Sequence, residues 1–153
     1  MIDGGVTEIV VGASIGAVFG SILTELVDAV KRAKQKAKMF APRMSELESI
    51  LQYGERVVLC GNNNNNNKYV SGLRELMQEG KKLVDKCATF HRWEFVRRIR
   101  YQKKLLQLNK NLVAFLILYI QNQNNKFQNR NRNIFNALLN LQNNMIHVDM
   151  ETN

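Results

Sequence analysis

The sequence predicts an all-α protein, an up-down bundle of four helices. Apolar residues recur at intervals of three and four along four segments, the 153 residues include a single proline, and a 45% hydrophobic content is enough to fill one core. Amphipathic helices joined by short connections bury their apolar stripes most simply by packing antiparallel. We therefore assign residues 1–121 to the bundle and residues 122–153 to an Asn-rich C-terminal tail with a short helix at 133–146.

The first helix organises the rest of the chain. Its uncharged window, residues 9–23, spans about 24 Å as a helix, against a hydrocarbon core of about 30 Å. Three glycines spaced by four, a pattern typical of close helix contact, are Gly12, Gly16 and Gly20. Apolar residues on one side include Ile15, Phe19 and Ile22. The pattern fits two positions equally well, a core helix of a soluble bundle or a helix that enters a bilayer.

The remaining elements follow from the same periodicity. The first helix is expected to end near Met39, and Pro42 is a natural point at which a second helix starts. Residues 61–68 hold a run of asparagines that cannot bury apolar area, so we expect a connecting loop there. Further helices are expected at about 44–60, from 69 to the break near His91, and along the stripe from 101 to 119.

A formal net charge of +9 and an isoelectric point near 9.8 indicate an anionic partner. One basic cluster directly follows the apolar helix and comprises Lys31, Arg32, Lys34, Lys36 and Lys38. A second occupies the first half of the fourth helix and includes Arg97, Arg98, Arg100, Lys103 and Lys104. The second cluster fits a solvated face, a contact with anionic lipid, or nucleic acid. Because no nucleic-acid-binding motif accompanies the charge, we expect a membrane with anionic lipids as partner and no nucleic acid.

Residues typical of catalysis are scarce. The sequence contains no Gly-rich phosphate loop, no nucleophile elbow and no metal-ligand spacing of cysteine and histidine, so we expect no enzyme activity, cofactor or metal. Trp93, together with Phe90 and Phe95, is expected to close one end of the core. The alternative for Trp93 is an anchor at the headgroup level of a membrane.

Residues 81–115, KKLVDKCATFHRWEFVRRIRYQKKLLQLNKNLVAF, resemble the signature region of the plant "resistance to powdery mildew eight" (RPW8-type) domain. The resemblance is carried by Cys87, Trp93 and Tyr101, by the cations between and after them, and by the trailing leucines. The glycine-containing first helix is also similar to that of the stand-alone members of the family. The resemblance implies a HeLo-like helical bundle, related to the N-terminal domain of plant helper immune receptors.

The resemblance further implies action at a membrane in plant defence and hypersensitive cell death, with homo-oligomers in the active state. Acidic residues near the start of the first helix would then lie on an ion path, and Asp3 and Glu8 are the candidates. We expect the cytoplasmic face of the plasma membrane or of a membrane facing the pathogen, with the first helix either lying in the bilayer or inserted as a single N-terminal span. The rival interpretation is a soluble helical adaptor that recruits immune receptors or other signalling proteins.

Overall fold

A computed structural model shows a protein built from helices. It describes the backbone of residues 4–59, 67–91 and 94–152, and the side chains of 19–58, 71–91 and 94–147. Within these ranges there is no strand, which confirms the all-α class. The helices are α1 (Gly4–Lys36), α2 (Ala41–Leu59), α3 (Asn67–Ala88), α4 (Phe95–Gln121), α5 (Asn125–Arg130) and α6 (Arg132–Thr152), with a 3-10 turn at Lys38–Phe40.

The corner between α1 and α2 lies where the sequence predicts it. The Ala37 N–H still bonds to the Ala33 carbonyl at 2.8 Å, and the Phe40 N–H then turns back to the Ala37 carbonyl at 3.0 Å. Pro42 is the second residue of α2, where a missing N–H leaves no helical hydrogen bond unmade. Phe40 is fully buried and fixes this corner to the core.

Helices α2 and α4 run in the same direction. The Gln102 side chain at the start of α4 donates to the Met39 carbonyl just before α2, at 2.8 Å. Further along both helices, Gly54 of α2 lies against the Leu116 side chain of α4. Since α1 packs on α2 through a short corner, α1 runs opposite to both.

Helices α3 and α4 run in opposite directions, because Gly72 near the start of α3 lies against Phe115 and Gly80 lies against Leu108. Helix α1 packs on α2 and α3, and α4 also packs on α2 and α3. The order around the bundle is therefore α1, α2, α4, α3. Diagonal pairs are thus α1 with α4 and α2 with α3.

The described part of α1 turns its apolar side inward. Phe19 is 1% exposed and Leu26 and Val30 are 0% exposed, while Ile22 is half-buried against the same core. The largest fully buried side chains from the other helices include Met44, Leu47, Ile50, Met77, Leu105, Leu112, Leu116, Tyr119 and Ile120. The surroundings of Gly12 and Gly16 and the side chain of Ile15 lie outside the described part of the chain.

The C-terminal segment is folded onto the bundle. Helix α6 covers Arg132–Thr152 and is longer than the helix expected at 133–146. It packs on α4, with Leu138 and Met145 fully buried. Helix α5 begins at an asparagine cap, where the Asn124 Oδ1 accepts from the Phe127 N–H at 2.8 Å.

Candidate functional site

The basic segment at the end of α1 faces outward. Lys31, Arg32, Lys36 and Lys38 are exposed. Lys34 is half-buried, and its Nζ lies 3.7 Å from the Glu48 Oε2 of α2. This segment contains no acidic residue of its own, so it presents positive charge along the last turns of α1.

The second basic cluster occupies the start of α4, where Tyr101 organises two of its cations. The Arg97 Nη2 donates to the Tyr101 hydroxyl at 3.2 Å, and the Arg97 Nη1 lies 2.7 Å from the Glu94 Oε2. The hydrogen bond to Tyr101, followed by the charge of Glu94, raises the pKa of Arg97. Lys104 Nζ lies 5.5 Å from the centre of the same ring, within cation–π range. Arg98, Arg100 and Lys103 are exposed around this arrangement.

The fold brings these two clusters to one end of the bundle. The Gln102–Met39 hydrogen bond joins the start of α4 to the corner between α1 and α2. Beside it the Phe90 ring packs edge-on against Phe40 at 5.3 Å and against Tyr101 at 5.7 Å between centroids. We call this region the basic end; its cations are Lys31, Arg32, Lys34, Lys36, Lys38, Arg97, Arg98, Arg100, Lys103 and Lys104.

Charge is distributed unevenly along the bundle. Acidic residues near the basic end make local ion pairs: Glu48 with Lys34, Glu94 with Arg97, and Asp85 with Lys81 at 3.0 Å. In contrast, residues 111–125, which form the second half of α4 and its exit, carry no charge. The uncharged second half of α4 thus contrasts with its cationic first half, although exposed cations recur beyond it at Lys126, Arg130 and Arg132.

Three large apolar side chains are exposed at the basic end. Phe95 is 65% exposed, Val96 73% and Ile99 58%. The expectation that Phe95 closes the core is wrong, whereas Phe90 does pack into it; Trp93 lies outside the described residues. The exposure of Val96 and Ile99 was not predicted from the sequence. Their positions in the sequence could have predicted their exposure, because they fall outside the apolar three-four stripe that starts at Tyr101.

Only one glycine of the α1 stripe has a described environment. A Cβ added at Gly20 would meet no atom within 4 Å, so no other described helix packs closely there. Close approaches between described helices occur at three glycines outside the stripe, none of which was predicted from the sequence. An added Cβ would lie 3.5 Å from Leu116 at Gly54, 2.9 Å from Phe115 at Gly72, and 3.1 Å from Leu108 at Gly80.

Comparison with known proteins places the chain in a family. A family model described as the Arabidopsis broad-spectrum mildew resistance protein RPW8 matches residues 7–149. The chain belongs to the RPW8 family. The match extends from α1 through most of α6, so most of the Asn-rich C-terminal segment lies within the RPW8 region.

A relative from Arabidopsis thaliana, named a probable disease resistance protein, is 22% identical over 139 residues. The match covers 80% of this RPW8-family chain, and the chain spans 17% of the length of that relative. No solved structure matches the chain.

The residues that carry the RPW8 resemblance have different environments. Tyr101 holds cations at the basic end, as described above. Cys87 is fully buried, and burial raises the pKa of its thiol to about 12, so it is an unreactive core residue. The two candidate ion-path residues cannot be placed in the same way, because Asp3 and the side chain of Glu8 lie outside the described residues.

A buried polar group also joins α2 to α4 in this RPW8-family bundle. Asn109 is fully buried and donates its Nδ2 to the Glu46 Oε1 at 2.8 Å and to the Arg43 carbonyl at 3.2 Å. Arg43 and Glu46 form their own ion pair at 3.1 Å. The Asn109 Oδ1 is buried without a hydrogen-bond partner among the described residues. This network connects α2 to α4 through hydrogen bonds between residues 63 and 66 positions apart.

The described residues contain neither a metal-binding cluster nor a membrane-spanning helix. No three or more His, Cys, Asp or Glu side chains in those parts of the chain are grouped so as to hold a metal ion. No helix there has both the length and the apolar composition needed to span a membrane.

Proposed function

We propose that this protein is a plant disease-resistance protein that acts at a membrane, on the cytoplasmic face, to promote defence and hypersensitive cell death. Membership of the RPW8 family supports the role in disease resistance. The single observation that supports membrane action is the meeting of two basic clusters, distant in sequence, at one end of the bundle.

The strength of such a contact follows from the exposed cations. Each Lys or Arg near an anionic leaflet contributes about 1 kcal/mol. If five of the cations touch the surface together, they supply about 5 kcal/mol, which is a partition constant three to four powers of ten above that of an uncharged surface. Since the cations are exposed, the attraction should weaken at high ionic strength.

In this proposal α1 occupies the core of the folded bundle in one state and the bilayer in another. In the described state Phe19, Leu26 and Val30 belong to the core, and each large apolar side chain there contributes about 1.5–3 kcal/mol. Release of α1 into the bilayer is therefore costly, and we assign it to an active state reached after the basic end has bound. Copies would then associate through Gly12, Gly16 and Gly20, with Asp3 and Glu8 on the ion path.

A second candidate function is a helical adaptor that recruits other immune-signalling proteins. The inward orientation of Phe19 and Leu26 favours it, because α1 then remains a permanent part of the core. The two candidates differ in whether cell death requires α1 to leave the bundle and the protein to stay on membranes.

Leaf expression of full-length Gly20→Leu, with Gly20→Ala as matched control, tests this difference. An added Cβ at Gly20 meets no atom within 4 Å, so Gly20→Ala should fold, and circular dichroism of the purified protein checks that Gly20→Leu folds as well. We expect Gly20→Leu to remain on membranes after an alkaline wash but to lose self-association and cell death, whereas Gly20→Ala stays active. Full cell death with Gly20→Leu would remove the stripe from the mechanism, and cell death by protein absent from the membrane fraction would favour the adaptor.

A further inference from the structure

We propose that the start of α4 is a wedge that enters the headgroup region of an anionic bilayer while the bundle stays folded. The wedge consists of Phe95, Val96 and Ile99, with Arg98, Arg100 and Lys103 around them. The inference rests on the proposed function in one respect, since both place the basic end on a membrane. The wedge goes beyond the proposed function because it assigns the membrane contact to apolar side chains of α4, with α1 still in the core.

The wedge projects from the body of the bundle. Every side chain from 95 to 100 is exposed, and burial on α4 begins at Tyr101. The three apolar side chains are between 58% and 73% exposed, although each is large enough to be expected in a core. They are adjacent in space as well, because Phe95 and Ile99 lie one turn apart and Val96 lies three residues before Ile99.

Cations frame this apolar patch. The Arg98 guanidinium carbon lies 6.0 Å from the centre of the Phe95 ring. Lys103 follows Ile99 by four residues and is exposed on the same side of the helix. The pattern is that of an interfacial helix, whose apolar side chains enter the boundary between headgroups and acyl chains while cations contact lipid phosphates.

Anionic lipid fits this surface better than other partners. Three side chains form a patch much smaller than the roughly 800 Å² per partner of a stable protein interface. A nucleic acid offers phosphates to the cations, but its contacts are dominated by charge and leave the apolar side chains without an apolar environment. A bilayer supplies both phosphates and hydrocarbon at the depth that one helical turn reaches.

The rest of the basic end has a compatible position. The Gln102–Met39 hydrogen bond keeps Lys38, in the corner after α1, close to the start of α4. Cations from both clusters can therefore contact the same membrane surface as the wedge. No movement of α1 is needed for this contact, so it can precede any release of that helix.

The test uses full-length protein and flotation with phosphatidylcholine vesicles that contain or lack phosphatidylserine. The variant is Phe95→Ser with Ile99→Ser. The control is Leu118→Ser, which removes an apolar side chain of similar exposure, 52%, from the uncharged half of α4. We expect the double variant to bind phosphatidylserine vesicles at least about tenfold more weakly, and Leu118→Ser to bind within about twofold of wild type.

A second measurement does not depend on how the double variant folds. In a Trp93→Phe background, a tryptophan is placed at Ile99 or, as control, at Leu118. Brominated acyl chains should quench the tryptophan at position 99 and leave the one at position 118 unaffected.

The outcomes separate the wedge from the proposed function. Undiminished flotation of the double variant, equal loss in Leu118→Ser, or equal quenching at both positions would overturn the wedge alone. Retained flotation with lost binding to duplex DNA would assign the patch to nucleic acid and also overturn it. Failure of wild-type protein to float with either vesicle would overturn membrane action as well.

Discussion

Replacing Gly20 or Gly72 by alanine should change the stability of the bundle in opposite directions. Both residues lie inside long helices, where alanine is favoured over glycine by about 1 kcal/mol. At Gly20 the new methyl group meets no atom within 4 Å, so this gain should be realised in full. Gly20→Ala is expected to raise the free energy of unfolding by about 1 kcal/mol.

At Gly72 the same methyl group would lie 2.9 Å from the Phe115 Cε2 and 3.2 Å from its Cζ, closer than carbon atoms pack. The ring or the helix has to shift, and such overpacking costs about 1–3 kcal/mol. After subtraction of the gain in helix propensity, we expect Gly72→Ala to lower the free energy of unfolding by about 1 kcal/mol. The two variants should therefore differ by about 2 kcal/mol.

Urea denaturation followed by circular dichroism measures this difference, and an unchanged slope of the transition shows that the unfolded states are comparable. A stability for Gly20→Ala at or below wild type would mean that a helix packs against Gly20 within the chain. In that case the stripe on α1 would be an internal packing feature, and the proposal that it joins separate copies would lose its structural support.

Two further changes test the interior. Asn109→Asp should lower the free energy of unfolding by at least about 3 kcal/mol at pH 7 in urea titrations, because it places a buried carboxylate beside Glu46. Burial raises the pKa of the new carboxyl group, so this loss relative to wild type should shrink as the pH falls toward 4. Asn109→Leu should cost less, about 1–3 kcal/mol, because it removes the donor to Glu46 without burying a charge. Burial raises the pKa of Cys87 from 9.0 to about 12, so the protonated thiol stabilises the fold fully below pH 9. This stabilisation should decline by up to about 1.4 kcal/mol per pH unit between pH 9 and 12. Cys87→Ala should lack the decline. An invariant difference between Cys87→Ala and wild type across that range would mean that the thiol is accessible to water.

Local rules accounted for most of the helices. The stripe from Tyr101 to Tyr119 predicts the fourth helix, and Pro42 marks the start of α2 to within one residue. The order of the helices around the bundle could not be predicted, because it depends on side-chain contacts between segments that lie far apart in the chain. The extent of α6 was underestimated since asparagine has low helix propensity, whereas burial of Leu138 and Met145 against α4 stabilises the helix regardless.

The sequence predicted the two basic clusters of the site but not their arrangement in space. Both basic clusters were recognised from charge, but their meeting depends on the Gln102–Met39 contact between residues 63 positions apart. Phe95 was assigned to the core because of its aromatic character, although its position relative to the stripe that begins at Tyr101 places it outside. Periodicity was the better guide there than residue type.

Binding of the basic end to anionic membranes is best measured by flotation of a charge-reversed protein. The variant changes four exposed cations of α4 to glutamate: Arg97, Arg98, Lys103 and Lys104. The matched control makes the same change in net charge with four exposed cations elsewhere: Arg56, Arg74, Lys126 and Arg130.

We expect the basic-end variant to be released from phosphatidylserine vesicles while the control variant still floats, and we expect added salt to release wild-type protein. Equal flotation of the two variants, or persistent flotation of the basic-end variant at low salt, would contradict it.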